Sequence, residues 1–328
     1  MAGSGLVKDG FFSSVLADRL SDYVSLRRSL GFEFRSQLYV LRQFDRIART
    51  EMTVSGPVTR GTVESFLRSL QRLMPTTRRL RFSIIRQFLL HLRQFEPDTF
   101  VPDRSLAPGR GSPRTPHVYT DDEIQALLQE AMRFPARYPG RRWLLHHTVF
   151  ALLYVTGLRV SEALALNLGD VDLSGAVIHV RRTKFHKTRL VPLAPSTCEG
   201  LKPYLVARAE RGCSTASEAP LFVNEKGGRL SYSSLRHAFR KIARRAGLSG
   251  PTGTRGVRIH DLRHTTAVRR LYLWYREGRD VQALLPALVT YLGHTSVRCT
   301  EVYLTTTAEL LAEASARFEK HFNVEECP

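Results

Sequence analysis

The sequence lacks the features that mark several common classes of protein. It has four cysteines, none of them in a C-x-x-C pair, and no signal peptide is evident, so we expect reduced thiols in a cytoplasmic protein. The most apolar stretch, Leu144–Leu158, contains two histidines and is too short to span a bilayer. No G-x-x-x-x-G-K-[ST] phosphate-binding loop is present. The chemistry is therefore expected to need no nucleotide energy and no cofactor.

Acidic residues are also scarce relative to basic ones. The chain has 30 Asp and Glu against 49 Lys and Arg, a formal net charge of +19. Such a charge attracts polyanions, of which nucleic acid is the commonest in a cell. Arginine outnumbers lysine strongly, which suits bidentate phosphate contacts, although genomic base composition explains the excess equally well. Nucleic acid is therefore favoured over a membrane as the partner.

The 328 residues are enough for two domains, and the sequence places a boundary between them. Residues 1–105 form the first domain, a stretch rich in proline and glycine at 106–118 forms a linker, and residues 119–328 form the second domain. Apolar residues at helical spacing predict four helices in the first domain: residues 11–30, 37–48, 62–73 and 77–95. The last of these carries Arg78, Arg79 and Arg86, which we predict to contact DNA, the alternative being a solvated basic face.

The second domain is predicted to be mostly helical with a short β insertion. A capping-box pattern at Thr120 begins it, and strands at 176–182 and 189–193 flank a hairpin turn. Residues 221–223 are a candidate third strand. The predicted fold class is thus mainly α with a small antiparallel β-sheet. A further helix after Ser231 has a basic stripe that consists of Arg236, Arg240 and Arg244. We predict that this stripe contacts DNA, and the alternative is again a solvated face.

Five short segments of the second domain contain polar residues suited to chemistry on a phosphate. A helix predicted to begin near Gly157 carries Arg159 in its first turn, and Glu162 three residues later can brace that guanidinium. The hairpin turn holds Lys184 and Lys187. Another helix opens with His260 and Arg263, a pairing that suits proton transfer and charge neutralisation at a phosphate. The last two segments are Leu292-Gly-His294 and the one that ends at Tyr303.

In this order and at these separations, the five segments resemble the tyrosine recombinase (phage integrase) family. That family has a T-G-x-R-x-x-E helix, a hairpin lysine, H-x-x-R, a later L-G-H and a tyrosine nine residues after its histidine. All of these are found between about residues 150 and 305. Residues 1–105 resemble the family's helical DNA core-binding domain in layout only, and residues 119–328 correspond to its catalytic domain.

The resemblance implies a site-specific DNA recombinase that cleaves and rejoins strands through a 3′-phosphotyrosyl intermediate. It assigns these roles: Tyr303 as nucleophile, Arg159 and Arg263 on the phosphate oxygens, Lys184 as the proton donor to the leaving 5′ oxygen, His260 as general base, His294 as a hydrogen-bond donor to the phosphate and Glu162 as support. The implied partner is double-stranded DNA with specific sites, bound by a homotetramer in which related recombinases can take part. Integration, excision or transposition of a mobile element, at the nucleoid, is the favoured task.

Some features depart from the family pattern. Thr183 and Phe185 flank Lys184 where glycines are common, so Lys187 competes for its role. Pro286 is predicted to break a helix before Leu292. The segment after Tyr303 reads as an amphipathic tail, which packs either on its own domain or on a neighbouring protomer.

Two alternative functions compete with recombination. A metal-dependent phosphodiesterase could use a cluster of histidine and aspartate ligands: His260, Asp261, His264 and His294. Arg263 within that cluster would repel a cation, so no metal site is predicted. The other alternative is a DNA-binding protein without catalysis, or a topoisomerase that uses the same chemistry, and the full set of catalytic residue types argues against an inert protein.

Overall fold

The computed structural model describes residues 12–109, 111, 115–134, 144–181, 188–250 and 256–293. The chain divides into two compact units, Met1–Arg114 and Thr115–Pro328. Helices dominate both units, and the second also contains a small antiparallel sheet. The predicted fold class is therefore confirmed.

The described part of the first unit contains the four predicted helices: α1 (Ala17–Ser29), α2 (Arg35–Glu51), α3 (Arg60–Ser69) and α4 (Pro75–Leu92). Their ends follow local chemistry. The Thr59 hydroxyl accepts the Thr62 N–H at the start of α3, and Pro75 occupies the first turn of α4, where its missing N–H costs nothing. The rings of Phe44, Phe66 and Phe88 meet edge-on at the centre of the core.

Residues 102–109 run along α4 in the direction opposite to the helix. The Arg86 guanidinium donates to the Pro102 carbonyl at 2.9 Å, and Arg79 donates to the Pro108 carbonyl at 3.1 Å. Further along, a Cβ on Gly111 would lie 3.5 Å from Pro75. Two of the arginines predicted to contact DNA therefore also fasten this segment to its own unit. DNA contact by Arg78, Arg79 and Arg86 stays a prediction.

The described part of the second unit contains these helices and strands: α5 (Asp121–Arg133), α6 (Leu145–Thr156), α7 (Val160–Ala165), β1 (Val171–Asp172), β2 (Val177–Val180), β3 (Arg189–Pro192), α8 (Pro195–Glu210), α9 (Tyr232–Arg245), α10 (Ile259–Arg276) and α11 (Val281–Leu292). The capping box predicted at Thr120 is confirmed, because the Thr120 hydroxyl accepts the Glu123 N–H and the Glu123 carboxylate accepts the Thr120 N–H.

The three strands pair antiparallel in the order β1-β2-β3, with Val171 opposite Ile178 and Val180 opposite Arg189. The predicted hairpin is confirmed, but the third strand was placed wrongly. Leu221–Val223 is buried and contributes an isolated bridge from Val223 to Arg229 instead of a strand. A short buried apolar run does not by itself distinguish a strand from another buried segment, which explains the error.

The main core of the second unit lies between α5, α6, α9 and the sheet, and a smaller cluster joins α10 to α11. The prediction that Pro286 breaks a helix is wrong, since Pro286 lies inside α11. It is the sixth residue of that helix, so only one intrahelical bond close to the N-terminus is lost. Burial of Leu285, Leu288 and Leu292 against α10 keeps the helix intact. Within the described ranges, no helix has both the length and the apolar character that crossing a membrane requires.

Candidate active site

Arg159 lies in the turn between α6 and α7, ahead of the helix that was predicted to contain it. Gly157 ends α6 in the left-handed conformation, with φ of 61°, and Arg159 is the residue before α7, with φ of −64° and ψ of 144°. The expectation that a helix begins near Gly157 is therefore wrong. Glycine tolerates positive φ, so it ends the first helix, and the chain turns before the second begins.

Glu162 organises this turn from the first turn of α7. Its side chain is buried, and its carboxylate accepts the Arg159 backbone N–H at 2.9 Å and the Arg159 Nη1 at 2.8 Å. The predicted bracing of Arg159 by Glu162 is therefore present. The same carboxylate accepts Nη1 and Nη2 of Arg189 at 3.0 and 2.7 Å. Burial would raise the pKa of Glu162, but the hydrogen bonds and charges of Arg189 and Arg159 outweigh it and lower that pKa to about 2.

Arg189 is a site residue that the sequence did not reveal. It begins β3 immediately after the hairpin, and its Nε donates to the Tyr291 carbonyl at 2.9 Å. Many arginines occur in this chain, and nothing in the local pattern distinguishes this one. Only its partners, 27 and 102 residues away, identify it.

Arg263 lies one turn into α10 and is almost completely buried, with 2% of its surface exposed. Its Nη1 donates to the Gly157 carbonyl and its Nη2 donates to the Leu292 carbonyl, both at 2.6 Å. Arg263 therefore joins the turn that carries Arg159 to the end of α11.

His260 opens α10 one turn before Arg263 and remains accessible to solvent. Its ring meets that of His264 edge-on, with centroids 4.7 Å apart. Although the residue reaches solvent, the protein atoms around the ring desolvate it. This desolvation, together with the positive charges of Arg263 and Arg258, lowers the pKa of His260. The neutral imidazole, which can accept a proton, is therefore favoured at neutral pH.

The last residues of α11 bring three arginines together. The consecutive carbonyls of Tyr291, Leu292 and Gly293 accept hydrogen bonds from the guanidiniums of Arg189, Arg263 and Arg159, respectively. We call these three arginines the arginine cluster. The carbonyl end of a helix carries partial negative charge and so favours cations. The next residue in the chain after Gly293 is His294.

Gly293 is required at the end of α11 for two reasons. Its φ is 66°, which side chains other than glycine rarely adopt. A Cβ there would also lie 2.8 Å from Nη1 of Arg189 and 3.3 Å from Nη1 of Arg159. The close approach of both guanidiniums to the backbone therefore depends on the missing side chain.

The arginine cluster carries three formal positive charges, and the Glu162 carboxylate accepts hydrogen bonds from two of its members, Arg159 and Arg189. The Asp261 carboxylate, two residues before Arg263, is fully buried and is paired with Arg258 at 2.7 Å. Three guanidiniums grouped in this way suit an anion with several oxygens, such as a phosphodiester.

The phage integrase family model matches residues 117–309 of this chain. The chain belongs to the phage integrase family. Among curated proteins, the y4rB protein of Sinorhizobium fredii, named as a candidate integrase/recombinase, is 36% identical over 94% of this chain and 98% of its own length. The tyrosine recombinase XerD of Mycobacterium tuberculosis is 36% identical over 65% of this chain and 64% of its own. The chain is a tyrosine-type site-specific recombinase, as its sequence predicted.

Solved structures of recombinases share the fold of this recombinase. An integrase of the transposon Tn1549, in complex with circular intermediate DNA, matches with a TM-score of 0.67 and 16% identity over 94% of this chain and 99% of that one. A lambda integrase dimer bound to a core site matches with a TM-score of 0.62 and 18% identity over 87% of this chain and 96% of that one. At these identities the comparison concerns the fold alone.

The predicted site residues of this recombinase fall into two groups. Arg159, Glu162 and Arg263 are brought together by hydrogen bonds around the end of α11, and His260 opens the helix that carries Arg263. The remaining site residues lie outside the described residues: Lys184, Lys187, His294 and Tyr303.

The basic stripe of α9 lies at the surface of this recombinase. Its members, Arg236, Arg240 and Arg244, are all exposed. The opposite face of the helix buries Leu235, Phe239 and Ile242. This exposure leaves their guanidiniums accessible to a ligand, and their contact with DNA stays a prediction.

The metal-dependent alternative is not favoured. Of its proposed ligands, Asp261 already accepts the backbone N–H and two side-chain nitrogens of Arg258. Across the ranges that the structure describes, no three His, Cys, Asp or Glu side chains are grouped closely enough to hold a metal ion.

Proposed function

We propose that this recombinase cleaves and rejoins double-stranded DNA at specific sites, with Tyr303 as the nucleophile. The observation that carries the proposal is the arginine cluster on the end of α11, directly before His294. Its three guanidiniums suit a phosphodiester, and the chain supplies every residue type that the family's reaction uses.

In the proposed reaction, the Tyr303 oxygen attacks the scissile phosphorus in line and the bond to the 5′ oxygen breaks. His260 accepts the phenolic proton, because its lowered pKa keeps the imidazole neutral before the reaction. Lys184 donates a proton to the leaving 5′ oxygen. The products are a 3′-phosphotyrosyl bond and a free 5′-hydroxyl. The 5′-hydroxyl of a partner strand then attacks the phosphotyrosine, which restores a phosphodiester without external energy.

Arg159 and Arg263 are proposed to bind the non-bridging oxygens, on which negative charge grows as the attacking oxygen approaches. Each already donates hydrogen bonds to backbone carbonyls of its own unit, so each guanidinium is oriented before DNA binds. Such preorganised donors are worth roughly 3–4 kcal/mol each in other enzymes. His294, which follows Gly293, is proposed to add a hydrogen bond to the same phosphate.

The first unit, residues 1–105 in the predicted division, is proposed to bind DNA beside the cleavage point, with the 106–118 segment as the linker. Relatives in this fold were solved with DNA, one of them as a dimer on a core site. We propose a homotetramer on two paired sites, acting at the nucleoid on a mobile element. The shared fold with a transposon integrase supports that task.

The experiment that tests the proposal detects the covalent intermediate. The probe is a nicked duplex made from the DNA that flanks this reading frame, incubated with the full chain and resolved on a denaturing gel. We expect a protein–DNA adduct that is absent for Tyr303→Phe, while a gel shift shows that the variant still binds DNA. Tyr275→Phe, a tyrosine of α10, is the matched control and should keep the adduct.

Two further outcomes separate the alternatives. An adduct that persists in Tyr303→Phe would place the nucleophile elsewhere. Loss of cleavage in EDTA would favour the metal-dependent phosphodiesterase, since the proposed reaction uses no metal. Recombinant product from two paired sites, rather than only relaxed circles, distinguishes a recombinase from a topoisomerase.

A further inference from the structure

Arg189 is bound by its partners at every nitrogen of its guanidinium. Nη1 and Nη2 donate to the two oxygens of Glu162, and Nε donates to the Tyr291 carbonyl. Only 11% of its side chain is exposed. Because Nε, Nη1 and Nη2 of Arg189 all donate to protein oxygens, we expect any role of this residue in the reaction to act through its partners.

Glu162 is the partner through which Arg189 can affect the reaction, because Arg159 and Arg189 both bind its carboxylate. Arg159 bonds one carboxylate oxygen through Nη1 while Arg189 bonds both oxygens. A carboxylate and a guanidinium alone prefer a two-bond pair. Without Arg189, Glu162 would be able to form such a pair with Arg159, and the guanidinium proposed to bind phosphate would instead face a carboxylate.

The second partner is the end of α11. Arg189 donates to the Tyr291 carbonyl, and a Cβ on Gly293 would lie 2.8 Å from its Nη1. Glu162 and the last turn of α11 are therefore tied to the same guanidinium. A displacement of Arg189 changes the surroundings of Arg159 from both sides.

We propose that Arg189 is a positioning residue for strand cleavage: it occupies Glu162 so that this carboxylate orients Arg159 without neutralising it. The inference rests on the proposed function, in which Arg159 binds the scissile phosphate. It adds a residue that makes no contact with DNA and yet sets the charge available at the phosphate.

The first test is Arg189→Lys, which keeps the charge but loses the two-bond geometry. Single-turnover cleavage of the nicked duplex is expected to fall about 100-fold, as small misplacements of catalytic groups do elsewhere, with DNA affinity unchanged. Arg208→Lys is the matched control. Arg208 is a buried arginine that donates to the carbonyls of Ser214 and Pro220, neither of which is a proposed site residue. Its substitution should therefore lower the melting temperature and leave cleavage intact.

The second test separates positioning from a purely structural role. In Arg189→Lys combined with Glu162→Gln, the carboxylate that would capture Arg159 is gone, so cleavage should be no slower than in Arg189→Lys alone. Losses that multiply in the double variant would overturn the proposal, as would near-normal cleavage by Arg189→Lys.

The outcome also distinguishes this inference from the proposed function. If Tyr303→Phe and Arg159→Ala abolish cleavage while Arg189→Lys does not, only the role of Arg189 is wrong. If Arg159→Ala cleaves normally, the phosphate site itself is misplaced and both proposals fail.

Discussion

Arg159 and Gly293 are 134 residues apart in the chain, and the Arg159 Nη2 donates to the Gly293 carbonyl at 2.5 Å. This bond joins the turn before α7 to the residue that ends α11. Because His294 follows Gly293 directly, the bond also brings two motifs that are distant in sequence to one place. The candidate active site is therefore organised around the end of a helix, and its preorganisation can be tested residue by residue.

Arg159→Ala is expected to abolish most strand cleavage without unfolding the protein. Removal of a preorganised donor to a developing oxyanion costs roughly 10²–10³ in rate in other enzymes. Cleavage is measured with the nicked duplex and the fold by circular dichroism. Arg133→Ala, at an exposed arginine paired with Glu130 on α5, serves as the control. Near-normal cleavage by Arg159→Ala would remove this residue from the site.

Gly293→Ala should reduce cleavage far more than Gly278→Ala, although both glycines have nearly the same φ, 66° and 67°. A side chain at either position should cost about 1–2 kcal/mol of stability through backbone strain. Only at Gly293 would the new Cβ crowd Arg189 and Arg159; at Gly278 it meets no described atom within 4 Å. We expect about a 100-fold loss of cleavage for Gly293→Ala alone. Urea denaturation and single-turnover cleavage measure the two effects, and equal cleavage by both variants would contradict the crowding argument.

Glu162 should contribute stability that depends on pH. Its pKa falls from 4.5 to about 2 in the folded protein, because the arginine hydrogen bonds outweigh burial. A depressed carboxyl pKa stabilises the fold above the unfolded value and loses that contribution as pH falls through the folded value. The shift corresponds to about 3 kcal/mol.

The measurement is the free energy of unfolding of Glu162→Gln relative to the unmodified protein between pH 3 and 7. The difference should be constant above about pH 4.5 and shrink as the pH falls. Glu64→Gln, at an exposed partner of Arg60, should show little change across the range. A Glu162→Gln difference that does not vary with pH would mean that the carboxylate is not held by the arginines.

The α9 stripe should determine part of the salt dependence of DNA binding. Combined alanine substitution of Arg236, Arg240 and Arg244 is expected to weaken binding at low salt. The slope of log affinity against log salt should become shallower by about 0.9 for each phosphate that the variant no longer neutralises. Lys202→Ala, at an exposed lysine paired with Glu199 on α8, is the control. An unchanged slope would show that the stripe is a solvated face.

Local patterns in the sequence were sufficient for most of the helices, for the β-hairpin and for the family. Apolar spacing predicted α1 to α4, and Thr120 and Glu123 predicted the start of α5, because periodicity and capping depend on residues within a few positions of each other. The order of the motifs around Arg159, Arg263 and Tyr303 predicted a tyrosine recombinase, and the family comparison confirmed it. The catalytic roles stay predictions for all six residues: Arg159, Lys184, His260, Arg263, His294 and Tyr303.

Only the tertiary structure decided how the site is held together. Arg159 precedes α7 instead of lying within it, Pro286 is accommodated inside α11, and Arg189 joins Glu162 to Tyr291. The partners of Arg159, Arg189 and Arg263 include backbone carbonyls up to 134 residues away. Every residue has the same backbone carbonyl, so no sequence motif shows which arginine that carbonyl will bind. The sequence showed which catalytic residue types are present. Their hydrogen bonds form only when folding brings α7, β3 and α10 to one end of α11.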